Sequence, residues 1–167
     1  MDSNLTIKLI EPSDSIQELT DLLHRAYAAL GAMGLNYTAV DQSPEVTAKR
    51  VASGACFIAM LAGEIVGTVV VTAPDSNSPC EYFRNPRVAA AHQFAVSPDH
   101  QNLGIGASLI DQAQRWAQGE GCSELALDTA EQASHLIRLY EGWGFSRVGW
   151  VQWSGKVYRS VVLAKLI

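Results

Sequence analysis

The stretch from Val88 to Gly119 constrains the fold more than any other. A mostly apolar strand, Val88–Val96, runs into a turn at Ser97-Pro98-Asp99-His100, then into Gln101-Asn102-Leu103-Gly104-Ile105-Gly106, and then into a helix over residues 104–119. That helix carries Ile105, Leu109, Ala113 and Trp116 on one face, the spacing of a surface helix packed on a sheet. A buried strand feeding a helix through a two-glycine turn requires a layered α/β arrangement, since each element must bury its apolar side against another.

The rest of the chain extends this unit on both sides. Leu5–Ile10 reads as a first strand ended by Pro12. Ser15 with Glu18 forms a capping box, and Ile16, Leu19, Leu22, Leu23, Ala26, Tyr27 and Leu30 follow at helical spacing until Gly31, read as the stop. Ser43-Pro44 starts a second helix that Gly54 ends. Cys56–Leu61 and Glu64–Ala73 form two Ile/Val-rich strands joined tightly at Ala62-Gly63. Pro74–Arg87, with three prolines, reads as a long surface loop. Beyond the central helix come a strand at Leu125–Leu127, a helix at Ala133–Trp143, and two strands, Phe145–Trp153 and Val157–Ile167, turning at Ser154-Gly155. The expected order is β-α-α-β-β-β-α-β-α-β-β, a mixed sheet of about seven strands with helices on its faces, in one domain spanning residues 1–167.

Composition narrows the class. At 167 residues, 48% hydrophobic and 17% charged, the chain is apolar enough to bury a core and too short for two catalytic domains. A formal net charge of −5 with no Lys/Arg-rich run argues against nucleic acid as a partner. No apolar stretch approaches the ~20 residues of a membrane span, and Met1–Pro12 has no leader-like pattern, so a cytoplasmic protein without a membrane partner is expected. Cys56, Cys80 and Cys122 are widely spaced and read as buried thiols, and no ligand set for a metal is visible.

In the glycine loop, backbone amides at a helix N-terminus attract phosphate through unsatisfied N–H groups and the helix dipole. A Walker loop is excluded because no Lys-Ser/Thr pair follows the glycines. A dinucleotide fingerprint would need a third glycine where Leu109 stands, although Asp128 at a strand end keeps a nucleotide-dependent oxidoreductase open as a reading. A turn without ligand is the remaining alternative.

The Q-x-x-G-x-G run after Phe94-Ala95-Val96-Ser97-Pro98 resembles the acetyl-CoA motif of the GNAT family of N-acetyltransferases. Leu139-Tyr140-Glu141-Gly142-Trp143-Gly144-Phe145 resembles the family's Y-E-x-x-G-F signature, at the family's spacing from the glycine loop. The resemblance implies acetyl-CoA as donor and direct attack of a primary amine on its thioester. Backbone amides of Gln101, Asn102, Leu103, Gly104, Ile105, Gly106 and Ala107 would hold the pyrophosphate. A strand bulge around Phe94, Ala95 and Val96 would present an amide to the thioester oxygen, and Tyr140 would be the general acid.

The chain also departs from the family. Ala90 stands where some members carry an acidic base, so His92, on the same strand face, is the candidate base, against a purely structural histidine. Ala133 replaces an asparagine that contacts the coenzyme in many members, with Ser134 as the candidate substitute. For the acceptor, a small-molecule or peptide amine, the aromatic residues Tyr37, Trp153 and Tyr158 are the candidate contacts. Trp150 and Trp153 are offset by an odd number, so one is expected inside and one outside; an exposed aromatic would equally fit a homodimer contact. The missing acid and asparagine leave a non-catalytic acyl-CoA-binding regulator of the same fold as the second reading.

Overall fold

A computed structural model describes residues 4–167, so the first three residues of the segment read as leader-free lie outside it. Among the described residues seven strands form one sheet in the order β1-β2-β3-β4-β5-β7-β6. They are β1 Thr6–Leu9, β2 Ala55–Leu61, β3 Glu64–Thr72, β4 Val88–Val96, β5 Glu124–Ala130, β6 Ser146–Val151 and β7 Ser160–Leu166. Four α-helices, α1 Ile16–Ala32, α2 Pro44–Val51, α3 Ile105–Gly119 and α4 Ser134–Gly142, complete the expected element order.

Every strand contact is antiparallel except β4 with β5. That parallel pair holds only through Val88–Glu124, Ala89–Leu125 and Ala90–Ala126. Beyond Ala90 the two strands separate, opening a cleft in the middle of the sheet. One face is closed by α3, with Ile105, Leu109, Ile110 and Ala113 buried against Val69, Val71, Ala89, Leu125 and Leu127. Gly67 lets α3 sit close, because a Cβ there would lie 2.9 Å from a Leu109 methyl. The other face is covered by α1, whose Leu19, Leu22 and Leu23 pack on Ile58, Ile65 and Val70.

Several boundaries differ from the sequence reading for identifiable reasons. Helix α1 passes through Gly31 to Ala32, and the left-handed turn is Gly34 at φ +82°. Gly31 serves packing instead, since a Cβ there would meet Val40 at 2.9 Å. The connection at Ala62-Gly63 is the tight hairpin expected, both residues at positive φ, the signature of a type I′ turn. By contrast β6 and β7 are not joined by a tight turn at Ser154-Gly155, because pairing stops at Val151–Ser160. Residues 74–87 are only partly a surface loop: a 3-10 turn at Glu81–Arg84 places Cys80 and Phe83 in a small core with Ala90, Ala126 and Val162.

Candidate active site

Strand β4 is irregular where it leaves β5. Gln93 has φ +51°, and the β3 pairing shifts between Thr68–Ala95 and Val70–His92, so an extra residue bulges out at Gln93-Phe94. The bulge was expected slightly later, around Phe94–Val96. It reverses the strand's parity: Ala91, Phe94 and Val96 all face α3, while His92 and Ala95 face away from it. The carbonyl of Phe94 accepts a 2.7 Å hydrogen bond from the Tyr27 hydroxyl on α1.

The glycine loop stands at the end of β4. Asn102 at φ +63° and Gly104 at φ +79° turn the chain, and α3 begins with Gly104 as its N-cap, without a capping side chain or an acid in its first turn. Gln101, Asn102, Leu103 and Gly104 are exposed, as is Ala107. The first amides of α3 therefore keep their anion-binding capacity. Gly106 packs tightly: a Cβ there would lie 3.1 Å from both Phe94 Cζ and the Trp143 ring. Ile105 is buried in the core beneath the loop.

Between the separated strands lies a cavity of about 490 Å³ whose walls include Tyr27, Tyr37, His92, Phe94, Leu127, Asp128, Tyr140, Trp153 and Tyr158. The proposed acid, base and aromatic contacts are thus gathered on one cavity. Tyr140 is 6% exposed, its ring packed among Phe94, Trp143 and Phe145. Burial holds its phenol pKa well above the ordinary value, so it stays protonated. His92 Nε2 lies 3.2 Å from Thr72 Oγ1, and burial, reinforced by the Arg50 charge, lowers its pKa to about 4. At neutral pH it is therefore an uncharged imidazole of weak basicity.

The Tyr37 ring stacks on Tyr158 at 5.0 Å, and its hydroxyl meets Thr129 Oγ1 at 2.8 Å and accepts from Ala130 N–H at 2.9 Å, fixing the free end of β5. Tyr158 is buried, so it forms wall behind Tyr37, without an open ring face. The tryptophans divide as their spacing suggests. Trp150 is half exposed beneath the Arg159 guanidinium, 3.8 Å from its centroid, while Trp153 lines the cavity. Ser134 is the exposed first residue of α4 and Ala133 is fully buried before it.

Asp128 is the group the sequence reading used least well, taking it only as a mark of nucleotide binding. It interrupts the otherwise apolar core of β5 and accepts a 2.7 Å hydrogen bond from Trp153 Nε1. Burial raises its pKa, with the Trp153 N–H and the Arg50 charge acting in the opposite direction. A carboxylate set within the largely buried Leu125-Ala126-Leu127 to Ala130 run is the signal that could have identified it.

The model of the acetyltransferase (GNAT) family matches residues 16–145. S-(2-succino)cysteine N-acetyltransferase of Bacillus subtilis is 27% identical over 151 residues, covering 89% of this chain and 88% of the relative. Aminoglycoside N(6')-acetyltransferase type 1 of Klebsiella aerogenes is 27% identical over 154 residues, covering 91% and 96%. Among solved structures, a GNAT family acetyltransferase from Elizabethkingia anophelis with acetyl-CoA bound shares the fold at a TM-score of 0.69, with 20% identity and all of both chains covered.

Proposed function

Because this chain belongs to the acetyltransferase (GNAT) family, we propose that it transfers an acetyl group from acetyl-CoA to a primary amine of a small molecule or peptide by direct attack. The observation that carries this reading is the meeting of the β4 bulge and the buried Tyr140 on one cavity, with the uncapped start of α3 packed beside them through Gly106 against Phe94 and Trp143. The residues fit the donor. The amides of Gly104–Ala107 suit its pyrophosphate, and the open space beside Gly104 leaves room for close approach. Bound acetyl-CoA supplies the acyl group on a thiol leaving group.

In this reading an amide of the bulge around Phe94 serves the thioester oxygen, and preorganised donors of this kind lower a barrier by roughly 3–4 kcal/mol. Tyr140, kept neutral, donates a proton to the departing sulfur and is restored from solvent. For the amine proton, Asp128 stands beside His92 as a candidate base: its carboxylate lines the same cavity and desolvation raises its basicity, whereas burial lowers that of His92. As the N–C bond forms the C–S bond breaks, so an ammonium and the thioester become an amide, free thiol and one proton released to water.

Thiol release from acetyl-CoA is measured across a panel of primary amines, with acetyl-CoA, NAD and ATP binding followed by thermal shift. Release with some amine supports the reading. Stabilisation by acetyl-CoA without release from any amine would favour the regulator, and stabilisation by NAD alone the oxidoreductase; each overturns it.

A further inference from the structure

Three groups on the main cavity keep unused binding capacity: two charges without an ion pair among the described residues, and one amide donor without an acceptor. Gln42 organises two of them. Its Oε1 accepts from Arg50 Nη1 at 2.9 Å, and its Nε2 donates to Gln93 Oε1 at 3.0 Å and to Thr47 Oγ1 at 2.7 Å. Gln93, 4% exposed and lining the cavity, is then left with a donor, Nε2, that has no acceptor among the described residues. A buried amide donor is rarely left so, and a small turn of the Gln93 side chain would offer its closed-off Nε2 to an oxygen brought by a ligand. Arg50 lines the same cavity and, among the described residues, forms no ion pair.

The third group is Asp128, on the same cavity and likewise without an ion pair among the described residues. A guanidinium and a carboxylate placed in one cleft yet not paired are held for something that fits between them. The remaining cation, Lys156, is already engaged, donating to the Asn36 carbonyl at 2.7 Å and to Thr38 Oγ1 at 3.0 Å. A polyamine or other polycation would meet Arg50 as a like charge and leave Gln93 Nε2 unanswered. A molecule with a carboxylate close to its amine answers all three.

Resting on the acetyltransferase reading, we propose that the acceptor is a free amino acid, its carboxylate held by Arg50 and Gln93 and its amine presented at Asp128. The amine end then lies toward Phe94 and Tyr140, which share the cavity with Asp128. A second cavity of about 450 Å³ adjoins the first, with Arg50, Pro79, His92 and Trp153 common to both, and leaves space for the amino acid's side chain.

The test compares each of a set of free amino acids, S-substituted cysteines included, with its carboxamide and its decarboxylated amine. Thiol release gives kcat/KM, and calorimetric titration into the CoA-saturated protein gives binding independent of turnover. A charged hydrogen bond to Arg50 predicts that the preferred amino acid exceeds its amide and its amine by roughly tenfold to a hundredfold. That ratio should collapse toward unity in Arg50→Gln and recover in part in Arg50→Lys. Gln93→Glu, which places a carboxylate opposite the ligand's own, reduces the ratio independently should Arg50→Gln fail to fold. Equal use of amides and amines, or turnover of polyamines or peptides alone, overturns the amino-acid assignment while leaving the acetyltransferase reading intact. No thiol release from any amine together with no acetyl-CoA binding overturns both.

Discussion

The Tyr27 hydroxyl, on α1, donates a 2.7 Å hydrogen bond to the main-chain carbonyl of Phe94, on the bulge of β4. This bond joins the helix covering one face of the sheet to the irregular peptide on which the proposed chemistry depends. Burial raises the Tyr27 pKa, so the hydroxyl remains a donor throughout the working range. Tyr27→Phe removes the donor and leaves the carbonyl unsatisfied. We expect a loss of about 1–2 kcal/mol in denaturant-measured stability and a fall in kcat at unchanged acetyl-CoA affinity. Full kcat in the variant would show that the bulge keeps its shape without α1.

Tyr140→Phe keeps the ring among Phe94, Trp143 and Phe145 and removes only the proton donor. The expected outcome is a drop in kcat of about 10²–10⁴-fold with acetyl-CoA binding preserved. An unchanged rate takes the acid role from this residue.

At the glycine loop two substitutions should differ in kind. Gly104→Ala forces an L-residue to φ +79° with open space around it, so its effect is conformational, about 1–2 kcal/mol. Gly106→Ala adds a methyl 3.1 Å from Phe94 Cζ and from Trp143, so it strains the packing beside the cleft. Both should raise KM for acetyl-CoA, and only Gly106→Ala should also change the near-ultraviolet circular dichroism of the tryptophan.

His92 makes stability pH-dependent. Its folded pKa of about 4 lies below the ordinary 6.5, so between these values the unfolded chain binds a proton that the folded protein refuses. The stability present above pH 6.5 is therefore lost as pH falls toward 4. Thermal melts of His92→Gln should show a flatter profile in that window, and an unchanged slope would assign the acid sensitivity elsewhere.

Asp128 acts with the opposite sign. Its raised pKa lets the folded state take up a proton before the unfolded chain does, so the carboxylate destabilises the fold once pH rises through that value. Asp128→Asn, which retains an oxygen for Trp153 Nε1, should raise the melting temperature at neutral pH and leave it little changed below the ordinary carboxyl range. Its kcat/KM should fall by about 10²-fold or more. Rising stability with falling activity is the signature to seek; an active, more stable variant would remove Asp128 from the proton path.

Local signals explain why some of this was legible in the sequence. The strand, glycine turn and helix from Val88 to Gly119 are marked by periodicity and by residues that turns require, and the caps at Ser15 and Ser43 and the Tyr140 signature are each contiguous in the chain. The bulge carried no such mark, because Gln93 adopts positive φ without glycine or proline to announce it. The Arg50-Gln42-Gln93 network joins residues brought together only by folding: Gln42 and Gln93 are 51 positions apart. Gly31 shows the converse error, where a glycine read as a helix stop serves the close approach of Val40.

The early divergence of β4 and β5 gives the sheet two interior borders. Past Ala90 and Ala126 the facing backbone groups of these strands have lost each other as partners, and unpaired strand borders invite intermolecular pairing. Here they face inward, where an extended ligand bearing amides could join the ladder as a partial strand.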